Sequence, residues 1–96
     1  MPTVIDGDFE WDSEKAEANL ARHGISFEEA ETVFGDPRVA VLDDGSSGGR
    51  LLAIGFSIQG RLLAVVHVPR GERDRIVSAR AATPHEERLY AEGDPA

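Results

Sequence analysis

The first regular hydrophobic pattern in the chain is helical. Over residues 14–23, Ala16 and Leu20 lie four positions apart, which places both on one helix face as its expected core stripe. Either Asp12 or the serine after it can cap the start, and Gly24 can adopt the left-handed conformation that ends a helix. A polar stripe with the same spacing lies directly beside the apolar one and consists of Lys15, Asn19 and His23. The segment therefore predicts a helix whose polar face borders the core.

A second helix is predicted immediately afterwards. Ser26 and Glu29 have the spacing of a capping box, in which each side chain accepts a hydrogen bond from the other residue's backbone N–H. Three apolar residues at helical spacing form one face: Phe27, Ala30 and Phe34. The sequence Gly-Asp-Pro at 35–37 ends the helix. Two short helices of this kind need another layer on which to bury their apolar faces.

The pattern then changes to that of β-strands. Four runs rich in β-branched and aliphatic residues cover residues 38–42, 51–57, 61–68 and 75–80. The connections between them are short, which favours antiparallel pairing of successive strands. A last helix is predicted from Pro84 to about Glu92, where Thr83 and Glu86 form another capping box.

These elements predict an α+β fold in a single domain over residues 9–92. Two N-terminal helices pack on a roughly four-stranded antiparallel sheet, and a C-terminal helix follows. Residues 1–8 are expected to be a flexible segment or a short edge strand, and residues 93–96 a disordered tail. The expected core consists of Leu20, Ile25, Phe27, Ala30, Phe34, Leu52, Ile54, Val66 and Val77, with Trp11 covering its edge.

Composition limits the classes of protein that this chain can represent. Its 96 residues suffice for one small domain, and 41% hydrophobic residues are enough for a core. The absence of cysteine excludes disulfides, a thiolate zinc site and a cysteine nucleophile. No apolar run approaches the roughly 20 residues of a membrane span, and the acidic start does not resemble a signal peptide. We therefore expect a cytoplasmic protein without a membrane segment.

The net charge of −8 argues against a general nucleic-acid binder, but the charge is unevenly distributed. Residues 1–48 carry twelve acidic and three basic residues, whereas residues 49–96 carry six and seven. Six arginines lie between Arg50 and Arg80. Their planar guanidinium groups suit phosphate or carboxylate partners. The alternative is that they pair with the acidic residues of the first half.

Most enzyme signatures are missing. The chain has no phosphate-binding P-loop, no dinucleotide glycine motif, no HExxH and no serine in a nucleophile elbow. What remains is acid–base and electrostatic chemistry, which can cleave RNA without a metal or a cofactor. Such a site needs histidine, glutamate or lysine together with arginine, and the chain supplies Lys15, His23, His67, Arg80 and Glu86.

Four of these five residues also have a structural interpretation. His23 can be a favourable cation at a helix C-terminus, and His67 can be a half-buried packing residue in its strand. Glu86 is accounted for by the capping box, and Arg80 can form an ion pair where the chain leaves the sheet.

Two sets of residues near the ends of the chain resemble a known family. The first is Phe9-Glu10-Trp11-Asp12, Lys15, Asn19, Arg22-His23-Gly24 and Ser26-Phe27-Glu28-Glu29-Ala30; the second is Ile76-Val77-Ser78-Ala79-Arg80, Ala82-Thr83, Glu86 and Tyr90. In this order they are similar to the opening and closing motifs of the BrnT toxin family. The resemblance extends from Phe9 to about Glu92. Pro84 and His85 depart from it, because many relatives have basic residues there.

The resemblance implies the toxin half of a type II toxin–antitoxin pair, with a compact fold similar to RelE-type and barnase-like ribonucleases. It implies RNA cleavage that inhibits translation, neutralisation by a BrnA-type antitoxin, and binding to operator DNA only through that antitoxin. The RNA could be free or held on the ribosome, and no cofactor or metal is implied. The positions that match the family's site are Lys15, His23, Arg50, His67, Arg80 and Glu86.

Two functional hypotheses follow. In the first, the protein is a metal-independent endoribonuclease: Arg80 and Arg50 hold the phosphate, Lys15 or Glu86 assists activation of the 2′-hydroxyl, and His67 or His23 protonates the leaving oxygen. This hypothesis expects Lys15, His23, Arg80 and Glu86 to share one concave surface. In the second, suggested by the acidic charge, the protein is a catalytically inactive interaction module that acts with an antitoxin in transcriptional autoregulation.

Overall fold

The computed structural model describes residues 2–46 and 48–93, so residues 94–96 of the predicted tail lie outside the described part. In chain order the elements are β1 (Thr3–Asp6), β2 (Phe9–Asp12), α1 (Ser13–His23), α2 (Phe27–Glu31), a short 3₁₀ helix (Thr32–Gly35), β3 (Ala40–Asp43), β4 (Leu51–Phe56), β5 (Leu62–Arg70), β6 (Arg73–Ala81) and α3 (Pro84–Glu92). None of the helices in these residues is long and apolar enough to cross a membrane.

The strands form one mixed sheet in the order β1-β2-β6-β5-β4-β3. All neighbouring pairs are antiparallel except β2 and β6, which are parallel and pair only through Phe9 with Asp74 and Glu10 with Arg75. The α+β class is confirmed, but the expectation of about four strands in a purely antiparallel sheet is wrong. The additional strands β1 and β2 form a hairpin around Gly7, whose φ of 60° suits glycine. Of the two alternatives for residues 1–8, the structure has the edge strand.

The helix ends follow the predicted signals. The Asp12 side chain accepts a hydrogen bond from Glu14 N at 3.1 Å, and Gly24 ends α1 with a φ of 70°. At α2 the Ser26 hydroxyl accepts from Glu29 N at 3.0 Å, but the Glu29 carboxylate is engaged elsewhere, so only half of this capping box forms. The capping box at the start of α3 is complete.

The two faces of the sheet are covered by different helices. On one face, α1, α2 and the 3₁₀ helix enclose the main core, to which the sheet contributes Ala53, Leu63, Val65, Ile76 and Ala79. Side chains alternate between faces along a strand, so the paired residues Ile54 and Ala64 lie on the other face. There α3 packs near the end of β4, where Tyr90 contacts Phe56 edge-to-face at 5.5 Å. The sheet is therefore a central layer between helices.

The core differs from the predicted one at several positions. Ile25, Phe27, Ala30 and Ile54 are buried as expected. Trp11 does not cover an edge: it is 1% exposed and packs edge-to-face on Phe27. Leu20 is 51% exposed, because α1 turns Asn19 rather than Leu20 toward β6. The other predicted core residues, Phe34, Leu52, Val66 and Val77, are partly buried.

Candidate active site

Arg80 and Glu86 form an ion pair where β6 leads into α3. Arg80 Nη1 donates to Glu86 Oε1 at 2.7 Å, and Nη2 donates to Oε2 at 2.9 Å. Thr83 N also donates to Glu86 Oε1 at 2.9 Å, so the capping box and the ion pair share one carboxylate. The Arg80 side chain remains 39% exposed, whereas that of Glu86 is 10% exposed. The ion pair fixes one edge of the guanidinium group and leaves its remaining N–H groups open to a ligand.

The charge state of Glu86 restricts its role. Hydrogen bonds from Arg80 hold the pKa of the Glu86 carboxyl below its usual range against the opposing effect of burial, and Glu86 raises the pKa of Arg80. Both groups are therefore ionised at neutral pH. A carboxylate of lowered pKa with both oxygens occupied is a weak general base. This geometry favours Glu86 as the group that orients Arg80.

A second group of candidate residues lines a shallow cleft of about 170 Å³ between α1 and β6. Its lining includes Lys15, Arg22 and His23 from α1 and Ser78 from β6, and it contains no acidic side chain. In a protein of net charge −8, this is a locally cationic surface. Arg22 and Ser78 were not among the candidates predicted from the sequence. The spacing of Arg22 from Lys15, seven residues or two helical turns, was the available signal.

Asn19 fixes this cleft against the sheet. Its amide nitrogen donates to Ile25 O at 3.0 Å and to Ala79 O at 2.9 Å, and its amide oxygen accepts from Ala79 N at 3.1 Å. The side chain thus pairs with the backbone of β6 much as a neighbouring strand would. Asn19 lies one turn from Lys15 and one turn from His23, and Ala79 immediately precedes Arg80. One buried amide therefore ties the basic helix face to the strand that carries the arginine.

The structure therefore brings the candidates together as two pairs along β6. Lys15 and His23 share the cleft, and Arg80 contacts Glu86. The two pairs share strand β6: Ser78 lines the cleft, whereas Arg80 lies opposite Ala64, on the face of the sheet away from the main core that α1 covers. A single concave surface formed by all four residues remains a prediction.

The other two candidates lie elsewhere. His67 is 3% exposed, its ring packs edge-to-face on Phe34, and its Nδ1 is 2.9 Å from Asp74 Oδ1. This burial agrees with the structural interpretation of His67 and keeps the imidazole from contact with a phosphate at the surface. Arg50 is exposed in the loop before β4. The structure therefore joins neither residue to the cleft or to Arg80.

Several of the remaining arginines are already neutralised. Arg61 bonds to the buried carboxylate of Glu29 through Nε at 2.9 Å and through Nη2. Arg75 Nη1 bonds to Glu10 Oε2 at 2.6 Å. For these two residues, the predicted pairing with acids of the first half is confirmed. In the part of the chain described, no three His, Asp or Glu side chains converge as a metal site.

The fold resembles that of a solved toxin. The 1.1 Å-resolution crystal structure of the Brucella abortus ribonuclease toxin, BrnT, is similar with a TM-score of 0.62 and 29% sequence identity over 76% of this chain and 92% of that one. No curated protein sequence matches the chain. A family model, described as ribonuclease toxin, BrnT, of type II toxin–antitoxin system, matches residues 11–86. The chain therefore belongs to the BrnT family of ribonuclease toxins of type II toxin–antitoxin systems.

Proposed function

We propose that this protein is an endoribonuclease toxin that cleaves RNA by metal-independent transesterification in the cytoplasm and so inhibits translation. The observation that carries the proposal is the basic cleft of Lys15, Arg22 and His23, which is lined in part by the same strand, β6, that carries the rigidly held Arg80. RNA provides the anionic phosphate that such a surface attracts. The substrate could be free RNA or RNA presented by the ribosome.

In the proposed mechanism, each group acts on a defined atom of the RNA. Arg80, oriented by Glu86, donates to the scissile phosphate and stabilises its developing charge. The 2′-hydroxyl gives its proton to a solvent water molecule as its oxygen attacks phosphorus, and Lys15 stabilises the negative charge that develops on this oxygen. His23, the exposed histidine of the cleft, protonates the departing 5′-oxygen. The products are a 2′,3′-cyclic phosphate and a 5′-hydroxyl.

RNA cleavage by the purified protein in excess EDTA tests this proposal. Arg80→Ala should reduce the cleavage rate by roughly 10² to 10³, the usual effect of losing one preorganised charge contact to a transition state. Arg80→Lys should restore only part of it, because lysine lacks the planar fork. Arg70→Ala is the matched control, since Arg70 is an exposed arginine at the other end of the sheet.

The chemical end of the product gives an independent test. We expect a 2′,3′-cyclic phosphate or the 3′-phosphate formed from it, detected by mass spectrometry of a short oligonucleotide. Cleavage that stops when metal is chelated, or products that end in a 3′-hydroxyl, would contradict the mechanism.

The family assignment implies an antitoxin partner, and we propose one of the BrnA type. The surface most attractive to its carboxylates is the basic cleft of Lys15, Arg22 and His23, because no acidic side chain lines it, whereas Arg61, Arg75 and Arg80 each already bind a carboxylate. An acidic or apolar segment of the antitoxin would cover this surface and block the phosphate. Binding to operator DNA would occur only through the antitoxin.

The net charge of −8 also supports a second function, an inactive partner of the antitoxin in autoregulation. Growth of cells that express the chain alone distinguishes the two. Growth arrest that Arg80→Ala relieves supports the ribonuclease. Normal growth, with retained antitoxin binding and repression, supports the inactive module.

A further inference from the structure

A second cleft, larger than the basic one, has no place in the proposed mechanism. It has a volume of about 690 Å³ and opens between the β1–β2 turn, the 3₁₀ helix and the β4–β5 turn. None of the six candidate site residues lines it. Its exposed lining is mostly apolar, and Ile58 and Phe56 on its rim are 82% and 44% exposed. A monomeric domain gains nothing from leaving such side chains in water.

Every charged side chain that lines this apolar cleft is acidic, although Arg73 lies near its edge and donates to Gly7 O at 3.3 Å. Asp6, Asp8, Glu31 and Asp36 line it, and no lysine, arginine or histidine does. Asp36 already has internal partners, since it accepts from Phe56 N at 2.9 Å and from the Tyr90 hydroxyl at 2.7 Å. Asp6 and Glu31 lie close enough for the carboxyl of one, when protonated, to donate a hydrogen bond to the other. A guest for this cleft must therefore be both cationic and apolar.

Glu31 has the least favourable surroundings of these carboxyls. Its Oε2 is buried and has no hydrogen-bond partner among the described residues. Burial and the neighbouring Asp6 raise the pKa of Glu31 to about 7. A cation placed between Asp6 and Glu31 would supply the missing donor and remove the repulsion between them.

We propose that this cleft docks a basic segment of a partner protein, with an arginine or lysine between Asp6 and Glu31 and an adjacent apolar side chain on Ile58. A polypeptide fits better than a small polyamine, because only the former offers a branched apolar group to cover Ile58 while its neighbour makes the charged contact. The volume suffices for two or three side chains. This surface is independent of the proposed RNA site, so either can fail without the other.

Fluorescence anisotropy with a labelled hexapeptide of alternating arginine and leucine tests the proposal on the full chain. We expect saturable binding, with amide NMR shifts at Glu31 and Ile58. Glu31→Gln and Asp6→Asn should each weaken the peptide about tenfold, the scale of one charge-assisted hydrogen bond. Ile58→Ser should weaken it several-fold. Glu87→Gln, which removes an exposed acid of α3 outside the cleft, should change the affinity less than twofold.

Three results would overturn the proposal. The first is equal weakening by Glu87→Gln, which would show attraction to the net charge alone. The second is equal binding of the same peptide with glutamate in place of arginine. The third is displacement of the peptide by spermidine with no effect of Ile58→Ser, which would make the cleft a site for small cations. RNA cleavage by Glu31→Gln should remain at the wild-type rate whichever result is obtained.

Discussion

Asn19 satisfies three buried backbone groups with a single side chain, at Ile25 and at both polar atoms of Ala79. An isolated polar residue on a helix is usually taken as solvent-exposed, so the sequence placed Asn19 in a polar stripe and Leu20 in the core. Asn19 is buried because of a tertiary contact: the backbone of Ala79 presents a donor and an acceptor toward α1. Hydrophobic periodicity identifies the faces of a helix. It does not show which helix face must supply hydrogen-bond partners to the unpaired backbone groups of a neighbouring strand.

Truncation of this side chain should be costly. Asn19→Ala leaves buried backbone groups without partners, at about 1 to 3 kcal/mol for each group that water does not reach. We therefore expect a clear fall in the urea midpoint at unchanged m-value. Lys15→Ala, one turn away and exposed, should change the free energy of unfolding by no more than about 0.5 kcal/mol. Equal midpoints for Asn19→Ala and wild type would show that the amide contacts do not stabilise the fold.

Glu31 makes stability depend on pH in the direction opposite to most carboxyls. Its folded pKa of about 7 lies above the ordinary value of 4.5, because burial, Asp6 and Glu28 disfavour the carboxylate. Between these values the folded state holds more protons than the unfolded state, so this group's contribution to stability falls as pH rises from about 4.5 to 7. Glu31→Gln, which resembles the protonated acid, should be more stable than wild type at pH 8 and similar at pH 4.5. A constant difference between the urea midpoints of Glu31→Gln and wild type from pH 4.5 to pH 8 would contradict the raised pKa of Glu31.

At the scale of elements, the sequence predicted those helix ends and strands that are determined by local sequence signals. Gly24 ended α1, Thr83 and Glu86 capped α3, and β4, β5 and β6 lie within two or three residues of the predicted runs. An edge strand within residues 1–8 was given only as an alternative and β2 was not predicted, because both strands have only four residues. The parallel contact of β2 with β6 joins residues more than 60 positions apart, which no local pattern encodes. The end motifs predicted the family, and the family match confirms it.

The attachment of α2 to the sheet depends on Glu29. Its carboxylate is buried and accepts from Ser57 Oγ at 2.7 Å and from Arg61, which also donates to Gly24 O at 3.1 Å. Arg61→Ala removes donors from a buried carboxylate, so we expect a loss on the order of 1 to 3 kcal/mol at pH 7. Arg70→Ala, at the far end of β5, is the control and should be nearly neutral. Similar thermal midpoints for both variants would show that the pair contributes little.

At the scale of the whole molecule, a basic patch lies on an acidic protein. Under the proposed function, RNA approaches a surface whose average charge repels it and binds at Lys15, Arg22 and Arg80. Three phosphate contacts to single-stranded RNA would give a slope of about −2 for log affinity against log salt concentration. Binding of an uncleavable 2′-O-methyl oligonucleotide should show this slope, and Lys15→Ala should reduce its magnitude by about 0.7. A slope that changes with Arg70→Ala and not with Lys15→Ala would show that RNA binds at another face of the protein.

The short contact between β2 and β6 has a consequence for self-association. Because β2 pairs with β6 only at Asp74 and Arg75, the remainder of that strand, through Ala81, would be an open template for another chain if α1 did not cover it. The Asn19 amide occupies the backbone groups that an intruding strand would use. Detachment of α1 would thus produce an aggregation-prone form as well as a less stable one. The residue that aligns the basic helix with the sheet thus also occupies the two Ala79 backbone groups to which a strand of a second copy would pair.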